Sequence, residues 1–348
     1  MNWYLTKGND ADVVVSTRVR LARDVEGYSF PGRLSMEEKR QVRDQIEAAL
    51  APAGLLKLHM DAIPQMDRRA LQEKHLISEE LAKGETGKSV CISKDESISV
   101  MINEEDHIRV QALTAGFDPE AVYKKAADVS ILLEQELPVA YSQKYGFLTA
   151  CPTNTGTGLR ASVMAHLPAL TMTGKINVVR EGLTKSGFAV RGYQGEHSKA
   201  VGNIYQISNQ VTMGISEEEI LGGFSRTVKH ILQLERDLRK KLYRETPDKM
   251  EDVIYRSFGE LKYARRMSEK EAMQHISDIR LGIALRFFKE VDEELAARLT
   301  MEIGTAALSK AKGKELELKE EEIFRAEKIR ERLNEKSGTA SHQENEFF

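Results

Sequence analysis

Residues 13–23 constrain this chain more than any other stretch, because they alternate strictly. Val13, Val15, Thr17, Val19 and Leu21 fall on one side of an extended backbone, and Ser16, Arg18 and Arg20 fall on the other. The apolar side needs a core to meet, while the polar side carries two guanidinium groups pointing the same way, about 7 Å apart. Strand-period runs recur at 97–103, 188–197 and 205–211, the later ones short and hairpin-like.

Helix signals fall between these runs. Ser35-Met36-Glu37-Glu38 is a capping box ahead of the stripe Val42, Ile46, Ala49 and Leu50, which Pro52 and Gly54 terminate. Asp118-Pro119-Glu120 opens a second helix that carries Val122, Ala126, Val129 and Leu133 inward and ends before Pro138. A box at Ser216 opens a long helix with Ile220, Phe224, Ile231, Leu238 and Leu242 along its buried side. From about Thr246 the pattern is helical and strongly charged, with another box at Ser268 and no strand signal. The expected organisation is a mixed domain over 1–245, an all-helical domain over 246–335, and a polar, disordered tail at 336–348.

Composition narrows the partners. The 348 residues, 41% of them hydrophobic, suffice for a large domain plus a smaller one. With 51 basic against 54 acidic side chains and a net charge of −3, nothing in the balance attracts nucleic acid or anionic membrane. No run of about 18 apolar residues is present for a membrane span. Two cysteines, Cys91 and Cys151, without a signal peptide fit a reducing cytoplasm with free thiols.

The chemistry-bearing stretch is 146–162. An apolar run ends at Cys151-Pro152, a turn rich in Thr, Asn and Gly follows, and apolar spacing predicts a helix opening around Leu159. Helix-start N–H groups, glycines and Arg160 in the first turn would together bind an anion. A P-loop is excluded, because Leu159 and Arg160 stand where Lys and Ser/Thr are required. Gly156-x-Gly158-x-x-Ala161 fits a relaxed dinucleotide pattern but lacks the ribose-binding acid about 20 residues on. Phosphate held in another way is the expectation.

Two further clusters join it. The run 97–103 delivers Glu104-Glu105-Asp106-His107-Ile108-Arg109 at a strand end, and glycines around Arg191 and Glu196 let both project from a turn. Arg18, Arg20, Arg109, Arg160 and Arg191 each neighbour a turn able to face a common cleft. Their mutual repulsion requires anions, which a triphosphate carrying Mg²⁺ supplies. Glu105 and Glu196 then offer the opposite charge to a cationic second substrate.

These blocks, in this order, resemble the phosphagen (guanidino) kinases. The resemblance rests on Ser16-x-Arg18-x-Arg20, Asn103-Glu104-Glu105-Asp106-His107-x-Arg109, Cys151-Pro152-Thr153-Asn154-x-Gly156-Thr157-Gly158-x-Arg160-Ala161-Ser162, and Arg191-Gly192-x-x-Gly195-Glu196. It implies an α+β catalytic domain, an antiparallel sheet flanked by helices, followed here by the all-helical C-terminal domain. It implies ATP bound along Ser16-Thr17-Arg18-Val19-Arg20, Arg109, Arg160-Ala161-Ser162-Val163-Met164 and Arg191-Gly192-Tyr193-Gln194-Gly195-Glu196, with His75 beside the nucleotide and Mg²⁺ held through ATP rather than by protein ligands. Glu105 and Glu196 would hold the acceptor guanidinium next to Cys151, with Arg160 counted among the catalytic residues.

The strand with the paired arginines begins a dozen residues from Met1, and the helical segment follows the catalytic blocks. That order resembles the bacterial protein-arginine kinases and implies cytoplasmic phosphorylation of exposed protein arginines. It further implies a Clp unfoldase-protease that receives the marked proteins, control of a heat-shock repressor, an activator protein and a homodimer. Gln194, His197 and Lys199 depart from the Tyr, Gly and Glu usual in that group. The phosphoarginine pocket Arg-Asp-x-x-Arg-Ala corresponds here to Glu321-Glu322-x-x-Arg325-Ala326, whose first acid would repel phosphate. The alternatives are a free-arginine kinase, which keeps the chemistry, and a non-catalytic nucleotide-binding adaptor.

Overall fold

A computed structural model describes residues 2–192 and 201–343, with side chains to Glu335. The strands are β1 (Val14–Arg23), β2 (Leu56–His59), β3 (Ser89–Ile92), β4 (Ile98–Ile102), β5 (Ile108–Ala115), β6 (Tyr141–Ser142), β7 (Gly146–Phe147), β8 (Leu159–His166), β9 (Phe188–Gly192) and β10 (Ile204–Asn209). The helices are α1 (Met36–Ala49), α2 (Gln65–Glu73), α3 (Glu79–Ala82), α4 (Pro119–Glu136), α5 (Pro168–Met172), α6 (Ile176–Lys185) and α7 (Glu217–Glu245). Five more follow: α8 (Pro247–Tyr263), α9 (Glu269–Ala284), α10 (Glu293–Glu302), α11 (Thr305–Lys312) and α12 (Leu318–Gln343).

Eight strands form one sheet in the order β2-β3-β4-β5-β1-β8-β10-β9, each neighbouring pair antiparallel. Strand β1 lies inside it, between β5 and β8. Alternation puts Val19, Leu21, Val110, Ala112, Ala161, Val163 and Ile207 on one face, where α1, α4 and α7 cover them. Each fully buried branched side chain there contributes about 1.5–3 kcal/mol. The capping boxes at Ser35, Ser216 and Ser268 and the Asp118 cap form as the sequence predicts.

Two local expectations fail. The stretch 159–166 is a strand, β8, and no helix opens at Leu159. Its alternating Leu159, Ala161, Val163 and Ala165 also satisfy part of a helical spacing, and pairing on both sides with β1 and β10 decides for the extended form. In β1 the register shifts between Val14 and Ser16, a bulge. The extra residue turns Val15 away from the Val19 side and into a second core with Met164, Ile204, Met273, Ile276 and Leu295.

That second core ties the C-terminal helices to the sheet. His166 and Asn203 both hydrogen-bond the Ser277 hydroxyl, at 2.9 and 2.8 Å. The helical region is thus packed on the sheet by a shared core rather than appended loosely. Its last helix continues to Gln343, into the segment expected to be a disordered tail. Extending an established helix costs far less than nucleating one, and the polar composition of 336–343 does not oppose it.

Glu73, at the end of α2, makes a second tie. Its carboxylate accepts from the N–H groups of Ala306 (2.7 Å) and Ala307 (2.8 Å), the exposed donors at the start of α11. A Cβ at Gly304 would approach the same carboxylate to 2.5 Å, so only glycine admits this contact without displacement. Replacing Glu73 with Ala should lower unfolding free energy by about 1–2 kcal/mol. Urea denaturation measures it, and an unchanged midpoint would show that the cap carries no stability.

Candidate functional site

The opposite face of the sheet is polar and strongly cationic. Cross-strand pairing sets Arg20 against Arg160 of β8 and against Gln111 of β5, and sets Arg18 against Ser162. Arg109 of β5 pairs with Ala22, two residues beyond Arg20, so it shares their face. Across β10, Ser162 meets Ser208, Met164 meets Gln206, and Gln206 meets Arg191 of β9. All five sequence-predicted arginines therefore occupy one face. Arg18 and Arg20 are mid-strand rather than at a strand end.

The guanidinium groups sense one another. Burial, then Arg160 and Arg109, bring Arg18 down to about 10. Burial, then Arg109, Arg18 and Arg160, lower Arg20 well below the usual guanidinium value, with Glu104 acting against them. Arg remains protonated throughout the physiological range, so the lowering reflects the cost of burying these charges first and their like-charge repulsion second, both of which an anion would relieve. Thr17, Val19, Ala161 and Val163, expected along the nucleotide segments, are buried and turn away from this face.

An acidic turn stands at one end of the face. Asn103 closes it with φ of 57°, a left-handed conformation that Asn tolerates, and its Nδ2 donates to the carbonyls of Lys39 and Gly87 at 2.8 Å each. Arg109 donates to both Glu104 and Glu105. Burial pushes Arg109 down, but Glu104, Asp106 and Glu105 outweigh it and raise the guanidinium above its ordinary value. Glu104 is buried, whereas the Glu105 side chain is 44% exposed. Glu105 is thus the carboxylate of this turn that an incoming group can reach.

The Cys151 loop lies next to that turn, since Asp106 Oδ1 accepts the Ala150 N–H at 2.9 Å. Inside the loop the Cys151 thiol lies 3.0 Å from the Thr153 hydroxyl, and Thr149 donates to the Cys151 carbonyl at 2.8 Å. The expected helix-start anion site is absent. The loop glycines serve backbone approach instead: at Gly156, with φ of 115°, a Cβ would meet the Thr212 carbonyl at 2.2 Å. At Gly158 it would meet the Ala22 carbonyl, next to Arg23, at 2.5 Å.

A cavity of about 660 Å³ extends from Arg18 under the C-terminal helices. His75, Ile77, Met164 and Gln206 line one wall, and Met273, Thr300, Met301 and Ile303 line the other. Its volume falls within the usual range for a small-molecule site, about 300–1,000 Å³. His75, with φ of 60°, is held down to about 4 by burial and Arg18, so its ring is neutral near pH 7. Tyr193, Gln194, Gly195 and Glu196 lie outside the described residues, as do His197 and Lys199. Gln111, Gln206 and Ser208 belong to the polar face and escaped the sequence reading, which had alternation but no register.

At the C-terminal pocket, Arg325 is buried with every nitrogen engaged. Nε donates to the Ile303 carbonyl (2.8 Å), Nη1 to that of Met267 (3.2 Å) and Nη2 to Glu321. Glu321 also accepts from Thr305 at 2.9 Å, and Glu322 pairs with Arg266. Ala326 is buried in the second core.

Known proteins share this architecture. The family profile for the ATP:guanido phosphotransferase C-terminal catalytic domain matches residues 39–238, and that for the protein-arginine kinase McsB C-terminal domain matches 247–345. The protein-arginine kinase of Halothermothrix orenii is 44% identical over 336 residues, 96% of either chain. That of Desulforamulus reducens is 42% identical over 339 residues, 95% of either chain. The substrate-free duplicated taurocyamine kinase of Schistosoma mansoni superimposes with a TM-score of 0.60 at 31% identity, over 73% of this chain and 39% of that one. A lombricine kinase does so at 0.59 and 26%, over 67% and 69%. With the antiparallel sheet, its cationic face and both profiles in agreement, this chain belongs to the ATP:guanido phosphotransferase family.

Proposed function

We propose that this chain transfers the γ-phosphate of ATP to arginine side chains of proteins. The observation that carries the reading is the convergence of Arg18, Arg20, Arg109 and Arg160 on one sheet face beside the half-exposed Glu105. In this reading 1–245 is the catalytic unit and 246–335 the helical unit that closes the nucleotide side. The triphosphate lies along the arginines with its base toward the His75 cavity, where a neutral ring contacts it without competing for phosphate.

No group of three or more metal-ligating side chains occurs among the described residues, and a cationic face suits a metal carried in on the nucleotide. Magnesium bound that way neutralises part of the phosphate charge. The chain's own contribution is alignment and fixed positive charge on the equatorial oxygens of a loose transition state, with Arg160 nearest the transfer. A guanidinium acceptor stays protonated far above neutral pH and cannot be deprotonated beforehand. Glu105, with Glu196, grips two of its nitrogens and accepts the proton as the N–P bond forms. The acceptor competes with Arg109 for Glu105, which releases Arg109 toward the phosphates. Cys151 lies beside the acceptor and helps hold its charge.

The wider setting is part of the same proposal: a cytoplasmic homodimer that marks unfolded proteins for a Clp-type unfoldase-protease, acts on a heat-shock repressor and answers to an activator protein. Its support is the 44% identity to a protein-arginine kinase over nearly the whole chain. Incubation with MgATP and either an unfolded arginine-rich protein or free arginine tests the acceptor. Acid-labile phosphate on the protein supports the reading, phosphate on free arginine alone assigns a phosphagen kinase, and none on either leaves a nucleotide-binding adaptor.

Glu105→Gln should reduce turnover about 10²–10⁴-fold with ATP affinity retained, the loss expected for base assistance. Equal rates would remove Glu105 from the mechanism. Arg20→Gln should raise the melting temperature of the nucleotide-free protein, by relieving repulsion, and shrink the further rise that ATP gives; calorimetry with and without ATP reads both. Because Glu321 already saturates Arg325, free phosphoarginine should leave turnover unchanged, and strong activation would show that the pocket opens.

A further inference from the structure

Asp24 and Asp106 are two buried carboxyl groups with one hydrogen-bonding oxygen each left over. Asp24 directly follows β1, and its Oδ1 accepts the His107 N–H at 2.8 Å. Asp106, on the acidic turn, uses Oδ1 for the Ala150 N–H. The two residues are 1% and 0% exposed, and the Oδ2 atoms of both have no hydrogen-bond donor among the described residues. Asp24 holds the N–H of His107, the residue after Asp106, so the two carboxyls are neighbours.

The charges around them do not compensate two carboxylates. His107 Nδ1 lies 3.2 Å from Asp24, but that nitrogen accepts the Val25 N–H at 3.0 Å. The ring's one N–H points from Nε2 to the Ser29 carbonyl at 3.0 Å, so the imidazole is neutral, and burial pushes it down to about 4. Arg109 Nε is 3.4 Å from Asp106 Oδ2, but the same guanidinium serves Glu104 and Glu105. Arg20 acts on Asp106 more weakly, and Glu105 repels it. Two ionised carboxylates here would bury uncompensated negative charge, which a single shared proton removes.

We infer that Asp24 is protonated and donates through Oδ2 to the Asp106 carboxylate, and that this one proton positions the Glu105 turn against the Cys151 loop for phosphoryl transfer. Asp106 follows Glu105 in the chain and holds the N–H of Ala150, which precedes Cys151, so Asp106 joins the two segments proposed to receive the acceptor and Asp24 fixes Asp106 in place. Burial and the neighbouring Asp106 raise Asp24 to about 8. Above that pH the proton passes to solvent, two like charges face each other, and Asp106, with the turn and the Ala150 N–H it holds, is pushed away from the end of β1. Asp24 is a positioning residue in this scheme, and the activity arm of its test rests on the kinase reading above.

The experiment compares the unaltered full-length chain with Asp24→Asn and Asp24→Ala, using MgATP and an unfolded arginine-rich protein from pH 6 to 9.5. Asn keeps an N–H donor toward Asp106 but has no proton to lose. Turnover of the unaltered chain should fall about tenfold per pH unit above the Asp24 ionisation. Asp24→Asn should keep its turnover at pH 7 within about threefold and lose that alkaline fall, while Asp24→Ala should lower kcat at every pH without changing the KM for ATP. Melting temperatures of the unaltered and Asn proteins give a readout independent of activity. The folded state holds the proton to about pH 8, whereas the unfolded chain releases it near the ordinary value of 3.8. The linked stability is complete below that lower value, drains away as the pH rises between the two, and is gone above the upper one. The unaltered protein should therefore lose stability relative to Asp24→Asn from about pH 5 to 8 and run parallel to it beyond. An alkaline fall that persists in Asp24→Asn, or a stability difference that does not move between pH 5 and 8, overturns the inference. If no phosphate reaches protein at any pH, the kinase reading fails and the melting curves alone decide this one.

Discussion

Like-charge repulsion on one face of β1 is the constraint from which the rest of the structure follows. Guanidinium groups crowded together would, on a loop, simply swing apart. Here they cannot, because Arg18 and Arg20 project from a strand hydrogen-bonded on both edges, with Val19 and Leu21 anchored in the core behind it. The hydrophobic effect on one side of the sheet holds charges together on the other. Arg109 is answered within the chain by Glu104, Asp106 and Glu105, which raise its guanidinium above the ordinary value. Arg18 and Arg20 keep their strain in store, a preorganised field for a polyanion.

The bulge at Val15 converts that field into a pocket. Had the alternation continued, Val15 would have joined the main core and the far end of the cationic face would have lacked an apolar foothold. Turned around, it packs with Met164 and Ile204 against α9 and α10, and the helical region roofs the cavity beside Arg18 and His75. Glu73, two residues before His75, fastens the same roof through α11. The sheet end around Arg18 and His75 and the C-terminal helices are therefore mechanically one structure.

What was legible in the sequence follows from what is local. Strand alternation, the capping boxes and the Asp118 cap depend on neighbours a few residues away, and they form as the chain implies. The helix expected at Leu159 fails because its apolar spacing is ambiguous over eight residues, and pairing with β1 and β10, remote in sequence, decides it. Gln111, Gln206 and Ser208 were invisible for the same reason, since register is not written in any one strand. Alternation and spacing do not separate the three acids of 104–106 either, and only the family resemblance singles out Glu105. Only the packed turn makes Glu104 a buried partner of Arg109, Glu105 an accessible carboxylate, and Asp106 a tether to Ala150.

That division of labour among adjacent carboxylates explains why the two ends of the face differ in openness. The Arg18 end, proposed above for the nucleotide, is roofed by the C-terminal helices. At the acceptor end the Glu105 side chain is 44% exposed, and Cys151 lies on a turn-built loop near the surface. A small guanidine would gain from enclosure on all sides, whereas a side chain still attached to a polypeptide must enter from an open edge. A roofed Arg18 end and an exposed Glu105 are in keeping with the protein substrate proposed above. The turn that makes it possible is held in shape by carboxyl groups that never need to touch the acceptor.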